Sequence, residues 1–274
     1  MRTPAIVFVA LVVAALAAPL VAPYAPERID LSSRRESPSR AHVFGTDDLG
    51  RDVFSRVLYG ARVSLAVGLF SAAVAGALGV AIGGVAGYAG GAADAALMRA
   101  TDAMLAIPRL PLLMIAAVVL QPSVPWLIVL IGSAGWMETA RVVRAEFRSL
   151  GAAGFVESAR AAGASHARVL ARHLLPNAAQ AVAVSVTLAV ARAILLESAL
   201  SFFGVGVHPP AASWGNMLYQ AQAALSTEPW LAIAPGAFIL LTTVSVSMIG
   251  DRLASGTQRA HSAERETGCR ARLR

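Results

Sequence analysis

The chain has 274 residues, of which 57% are hydrophobic and 14% charged, with a formal net charge of +7. Counting its 23 Gly raises the apolar share to about 65%, against roughly 45–50% apolar and about 25% charged in soluble domains. That is more apolar surface than one soluble core of this size encloses. The basic residues are all Arg, which excludes a phosphate-binding loop ending in Gly-Lys-Ser/Thr and a Schiff-base lysine.

Ionised side chains are absent from Thr3–Pro26, Val63–Ala93, Leu110–Met137, His173–Ala191, Ser198–Thr227 and Pro229–Gly250. A spanning helix needs about 20 apolar residues. The pattern predicts an all-α integral membrane protein with six transmembrane helices, over about 4–23, 63–88, 102–121, 124–146, 178–200 and 230–250. Arg2 before an apolar run with small residues near Ala17–Ala18 also fits a cleaved signal peptide. The charge-free run is longer than a signal core of roughly 7–15 residues, which favours a span.

Between the first two spans, 24–60 holds six Arg and six acids (Glu27, Asp30, Glu36, Asp47, Asp48, Asp52). Beyond the second span, Asp94 and Asp102 flank Arg99, and the i, i+3 spacing of Arg99 and Asp102 predicts a surface pair. Arg192 and Glu197 lie inside the fifth span. Ionisable groups at membrane depth face a pathway or a partner. Their i, i+5 spacing argues against a mutual pair, which leaves lining or gating against structural pairing to another helix or subunit. The window Ser198–Thr227 carries His208, Pro209, Pro210, Trp214 and Asn216 and reads as a loop. Trp214, Tyr219 and Trp230 suit the membrane interface, with docking of a partner as the other reading. The single Cys269 lies in a polar, Arg-rich tail that is expected to be mobile, and it permits no disulfide within the chain.

Orientation follows from the basic residues. Residues 138–177 hold six Arg against three Glu, and 251–274 hold six Arg against two Glu and one Asp, whereas 201–229 hold no Arg. With six spans, both termini fall on the cytoplasmic side. The six Arg of 24–60 then lie outside, against the rule, although the segment is neutral overall. This distribution, scattered between spans, points to loop bias and away from nucleic-acid binding.

The most informative loop is 155–177, FVESARAAGASHARVLARHLLPN. Its Ala content and lack of internal Pro predict a short helix over about 155–170. Glu157 sits in the first turn, where an acid suits the positive helix end. Gly163 falls in mid-helix on this reading, at a cost of about 1 kcal/mol, which suggests close approach of another backbone or partner. Pro176 suits the first turn of the fifth span. His166 and His173 are too isolated to make a metal site, because His208 lies across the membrane.

This loop resembles the Glu-Ala-Ala loop of ABC-importer permeases, with Ser158 in place of the usual first Ala. Two further blocks are similar to dipeptide, oligopeptide and nickel permeases of the second-subunit type: HVFGTDDLGRDVFSR at 42–56, running into YGARVSL at 59–65, and ESALSFFGVG at 197–206, followed by Pro209-Pro210 and SWGNM at 213–217. Gly87, Tyr88, Gly90, Gly91, Asp94, Asp102 and Pro108 also match. The resemblance runs from about 42 to 251 and implies the type-1 importer permease fold. It divides the chain into a first helix with an extracytoplasmic segment (1–61), a permease domain (62–252) with a cytoplasmic coupling loop (147–177), and a polar cytoplasmic tail (253–274).

The resemblance further implies a second homologous permease, two cytoplasmic ATPases that carry the ATP and magnesium, and an extracytoplasmic solute-binding protein, all at a bacterial inner membrane. The chain itself would bind no cofactor or metal. Glu157, Ser158, Ala159, Gly163, Leu175 and Pro176 are the expected ATPase-coupling residues, and Arg192 and Glu197 the pathway or gate residues. None is catalytic. The alternatives are a permease of the same superfamily for phosphonate, amino acid or sulfate, and more distantly an intramembrane enzyme using a residue such as Ser71 or Ser185.

Overall fold

The computed structural model describes residues 2–121 and 123–272, with side chains for 3–121 and 123–255. Regular structure is helical throughout the described residues. The helices are α1 (Arg2–Leu16), α2 (Ala18–Val21), α3 (Val53–Ala89), α4 (Gly91–Ala106), α5 (Arg109–Leu120), α6 (Val124–Ser133), α7 (Met137–Gly151), α8 (Gly154–Ala161), α9 (His166–Val169), α10 (Leu175–Phe202), α11 (Trp214–Ala221) and α12 (Trp230–Arg272). Val53–Ala89, His166–Phe202 and Trp230–Ser255 are each long and apolar enough to cross a bilayer, two bent pairs bring the number to five, and Thr3–Leu16 is a shorter apolar helix. The polar tail expected at 253–274 continues α12 as backbone helix to Arg272, and its side chains beyond 255, with the expected mobility, lie outside the described residues.

The third and fourth spans differ from the sequence expectation. Neither is a straight helix. Gly91–Ala106 and Arg109–Leu120 meet at 81°, and Val124–Ser133 and Met137–Gly151 at 47°. Pro108 causes the first break: its ring pushes the preceding Ile107 out of the helical region, to φ −80°, ψ 126°. At the second break the chain runs through Ala134, Gly135 and Trp136, and Gly135 lies against Ala75 of α3.

The helix α3 is the central post, touched by α1, α2, α4, α6, α7, α10, α11 and α12. Its length is roughly 55 Å at 1.5 Å per residue. Asp52 starts it as a side-chain cap, accepting from the Ser55 N–H at 2.8 Å. Around that N-terminal end sits the segment 24–52, which packs against α11 and the start of α12. Several of its charges are paired. Arg51 Nε donates to Asp47 at 2.7 Å, Arg56 lies 3.6 Å from the same carboxylate, and both Arg residues donate to Gln220 of α11 at 3.2 Å. Arg35 lies 3.5 Å from Glu228. The hydroxyl and N–H of Ser32 hold the half-buried Asp30 carboxyl below the ordinary carboxylate range.

Along α3 a stripe of glycines lets α7 come close. A Cβ on Gly79 would lie 2.6 Å from Thr139 Cβ, on Gly83 2.2 Å from the Ala140 carbonyl oxygen, and on Gly87 2.7 Å from the Arg144 carbonyl oxygen. In lipid, helices associate through such close packing rather than through a hydrophobic drive. On the other face, Gly68 and Gly76 admit Ile194 and Val186 of α10.

Asp94 and Asp102 of α4 also find α7. Asp94 accepts from two Arg144 nitrogens, Nε and Nη2, and from Arg148 at 3.4 Å, and Asp102 accepts from Arg141 at 2.5 Å. This corrects the expected Arg99–Asp102 pair: the acid reaches across to a neighbouring helix instead of along its own. Trp214 is corrected too. It is fully buried rather than an interface anchor, with its indole N–H donating to the Val57 carbonyl at 3.1 Å.

Gly83→Leu should be worse than ordinary overpacking, which costs roughly 1–3 kcal/mol, because the obstacle is α7 backbone. The expected result is loss of folded protein from membranes, measured by detergent-extracted yield and thermal unfolding. A normal yield and melting temperature would show that the α3–α7 seam is not needed.

Candidate functional site

At the C-terminal end of α3 an exposed loop rests on a small core. Val143 and Phe147 of α7, Val156, Val169, Leu174 and Ala178 are buried together. Val156 is the buried residue of α8, and the rest of that short helix turns outward. Glu157 and Ser158 are exposed, Ala159 is half-buried, and Leu175 and Pro176 are exposed at the start of α10. The Ser158 hydroxyl donates to the Gly154 carbonyl at 2.8 Å, so it is occupied within its own helix.

The helix expected over 155–170 is two helices. It stops at Ala161, and Gly163 takes φ +83° in the turn. The Gly163 N–H donates to Arg160 O at 2.9 Å and the Ala164 N–H to Ala159 O at 3.0 Å, which closes the helix end. Gly163 is therefore a helix terminator, and the mid-helix reading is corrected. Glycine is favoured here by the left-handed backbone. Nothing lies within 4 Å of where its Cβ would sit, so no part of this chain approaches it. Ser165 then caps α9.

Between α9 and α10, Leu170–Leu174 form a π turn, where the Leu175 N–H reaches back to Leu170 O. Pro176 follows directly, without an N–H to give, and Asn177 Nδ2 donates to His173 O at 2.6 Å. The widened turn absorbs the proline, and His166–Phe202 stays one helix.

The loop is tied to the end of α3 through Tyr88. Its hydroxyl is 2.5 Å from His166 Nδ1, and the Arg160 guanidinium lies 5.4 Å from its ring centroid. His173 packs on Phe155 with ring centroids 6.3 Å apart. The two histidines are thus engaged with aromatic rings on separate parts of the loop. Sequence reasoning missed the role of Tyr88, although an aromatic residue beside Gly87, Gly90 and Gly91 at the end of a span was a visible signal.

Arg192 and Glu197 sit in different surroundings. Glu197 is fully buried between helices. It accepts from Ser64 of α3 at 2.9 Å and from Ser201 at 2.8 Å. Ser64 in turn accepts from the Trp214 N–H at 3.2 Å, and Ser201 from the Val207 N–H at 3.0 Å. The carboxylate is the hub that fastens the loop 203–213 and α11 to α3 and α10. Arg192 is half-buried near the middle of α3, beside Ser71, Ala72 and Ala75. It also borders an open cavity of about 300 Å³ with Glu138, Val142, Ser185 and Leu188. Arg109 donates to Glu138 at 2.6 Å at the same level. Arg109 and Glu138 each follow a helix break, a signal present in the sequence as charges beside Pro108 and Gly135.

The two serines weighed for an enzyme are engaged between helices. Ser71 donates to Ile128 O at 3.0 Å, and Ser185 shares a 2.8 Å hydrogen bond with Thr139.

A bundle of long, broken and short apolar helices, with polar clusters at both ends and a charged level between, defines a multi-pass helical membrane protein. The chain belongs to the family of binding-protein-dependent transport system inner membrane components, whose model matches residues 79–259. It is 40% identical over 245 residues to a putative peptide permease protein of Brucella suis biovar 1 (strain 1330), covering 89% of this chain and 81% of that one. It is similar to the oligopeptide transport system permease protein OppC of Bacillus subtilis (strain 168), with 36% identity over 90% of this chain and 81% of the relative. The dipeptide transport system permease protein DppC of the same organism is 38% identical over 89% and 76%. Membership makes the chain a permease component of an ABC transport complex with other subunits, and sets the intramembrane-enzyme alternative aside.

Two measurements probe these arrangements. Glu197→Ala strips the Ser64 and Ser201 hydroxyls of their acceptor and opens a cavity, which should cost on the order of 2–4 kcal/mol. Glu197→Gln should cost less, since the amide oxygen still accepts. Thermal unfolding in detergent ranks the two, and equal stability of both with the parent would contradict the hub. Tyr88→Phe should leave overall stability nearly unchanged yet speed amide hydrogen exchange across 154–169 several-fold. Unchanged exchange there would show that the Tyr88–His166 contact does not hold the loop.

Proposed function

We propose that this chain is one of two homologous permease subunits of an ATP-driven importer for di- or oligopeptides in a bacterial inner membrane. The loop 147–177 is its coupling device. Two cytoplasmic ATPases, which carry ATP and magnesium, receive Glu157, Ser158, Ala159 and Gly163 in a cleft, with Leu175 and Pro176 beside them. A solute-binding protein delivers cargo at the opposite end, formed by 24–52 and 203–229. Both termini are then cytoplasmic, and the permease domain is 62–252.

The single observation that carries the coupling assignment is the character of α8. An exposed polar helix stands on a buried base shared with α7 and α10, and the space over Gly163 is open. The base makes the loop a stiff lever, so a displacement of α8 passes to α7 and α10 instead of being absorbed locally. The peptide cargo is supported by the relatives, whose names specify peptide, oligopeptide and dipeptide transport.

Gly163→Trp tests the docking. Because the position is open within this chain, a bulky side chain obstructs only an incoming partner. The variant should reach the membrane and co-purify weakly with the ATPases, with ATP hydrolysis uncoupled from uptake. Gly163→Ala, which carries the backbone strain of φ +83° without the bulk, should be milder. Normal uptake in Gly163→Trp would refute the coupling role.

A further inference from the structure

We propose that Arg192 is a carboxylate subsite on the translocation path, with the free oxygen of Glu138 accepting N–H groups of the same solute; this rests on the peptide-import reading above. Three ionisable residues from three helices meet at one level: Arg109 at the start of α5, Glu138 in the first turn of α7 and Arg192 in α10. That level is beside Ser71–Ala75, midway along α3 and roughly 27 Å from either of its ends at 1.5 Å per residue. Both helix breaks, at 107–108 and 134–136, fall there too. Broken helices in transporters place irregular backbone where it lines a cavity, and substrate sites gather at such places.

The charges do not cancel. Arg109 and Glu138 pair through one carboxylate oxygen, while the other, Oε2, is buried without a partner. Among the described residues no hydrogen bond or ion pair engages Arg192. A guanidinium offers five donors and no acceptor, and an ionised group at membrane depth is expensive and turns toward a pathway or a partner. Arg192 borders the cavity of about 300 Å³ with Glu138 and Ser185. The three residues carry a net +1 and leave one free acceptor. That set matches a solute with one carboxylate and nearby N–H donors, as in a peptide with a free C-terminus. The guanidinium fork fits a carboxylate through two parallel hydrogen bonds.

The test uses the complete transporter with its binding protein, reconstituted in liposomes, and uptake of radiolabelled dialanine as the free acid and as the C-terminal amide. Arg192→Gln should lower uptake of the acid tenfold or more and that of the amide less than twofold. Equal loss for both peptides, or loss for neither, overturns the subsite. Where the parent carries only the acid, Arg192→Lys decides: retention of several-fold more acid uptake than in Arg192→Gln supports the proposal, and equal loss overturns it. If Arg192→Gln fails to assemble, Arg192→Lys should raise the KM for the acid several-fold and leave that for the amide unchanged, and parallel changes overturn the subsite. A parent complex that carries neither peptide overturns the peptide reading itself, and the subsite with it.

Discussion

The contact on which the rest depends is the backbone-to-backbone approach of α3 and α7 along Gly79, Gly83 and Gly87. Helices in lipid gain little by hiding apolar surface from each other, so closeness must supply the attraction. Removing three side chains lets the two helices meet at carbonyl distance. That fixes α7 over its length, from Met137 beside the mid-bundle charges to Gly151 beside the exposed loop. The Asp94–Arg144 pair brings α4 onto the same rod. With α7 seated, Val143 and Phe147 present the base on which Val156 and Val169 rest. Without the seam, that base loses its shape and the break at 134–136 loses its position.

The same rod joins two places of functional interest. Its C-terminal end supports α8, and its first turn holds Glu138. At 1.5 Å per residue these lie roughly 20 Å apart along one helix. A helix packed this closely against α3 moves as a unit or not at all. On the coupling proposed above, a push on α8 would need no chain of small side-chain shifts, only a tilt about the glycine contacts.

The sequence was legible where the signal is compositional. Charge-free windows marked the apolar segments, with Leu110–Met137 covering α5 and α6 together and Ser198–Thr227 read as a loop, and the spaced pattern around Glu157 pointed to an exposed loop helix. It was less legible where direction or distance decides. Hydropathy counts apolar residues and is blind to an 81° turn, so the third span read as one helix although Pro108 stood inside it. Gly163 has the same letter whether it interrupts a helix or ends one, and only φ +83° separates the two. Trp214 looked like an interface residue because its neighbours are loop residues. Its burial comes from α3, some 150 positions away in the chain. Asp102 was matched to Arg99 on local spacing, while its partner, Arg141, lies on α7.

The arginines of 24–60 show how far a count differs from an arrangement. Six of them on the expected outer side run against the usual bias, yet Arg51, Arg56 and Arg35 are held by Asp47, Gln220 and Glu228, and Arg34 by the Asp48 carbonyl. Charges folded into such a knot present little free positive field to the lipid surface. The other end of α3 follows the same rule: Arg144 and Arg148 are bound to Asp94, and Tyr88 to His166. Polar groups at both ends of the post are thus largely paired, and these pairings hold the bundle together. Nearer the N-terminal end of α3, Glu197 accepts from the Ser64 and Ser201 hydroxyls, whereas at the middle Arg192 and one oxygen of Glu138 have no such partner among the described residues. Buried polar atoms without a partner also occur at Ser198, Glu228 and Trp230, so what sets the Arg192 level apart is that its unpaired groups border a cavity between broken helices, and the proposed subsite rests on that.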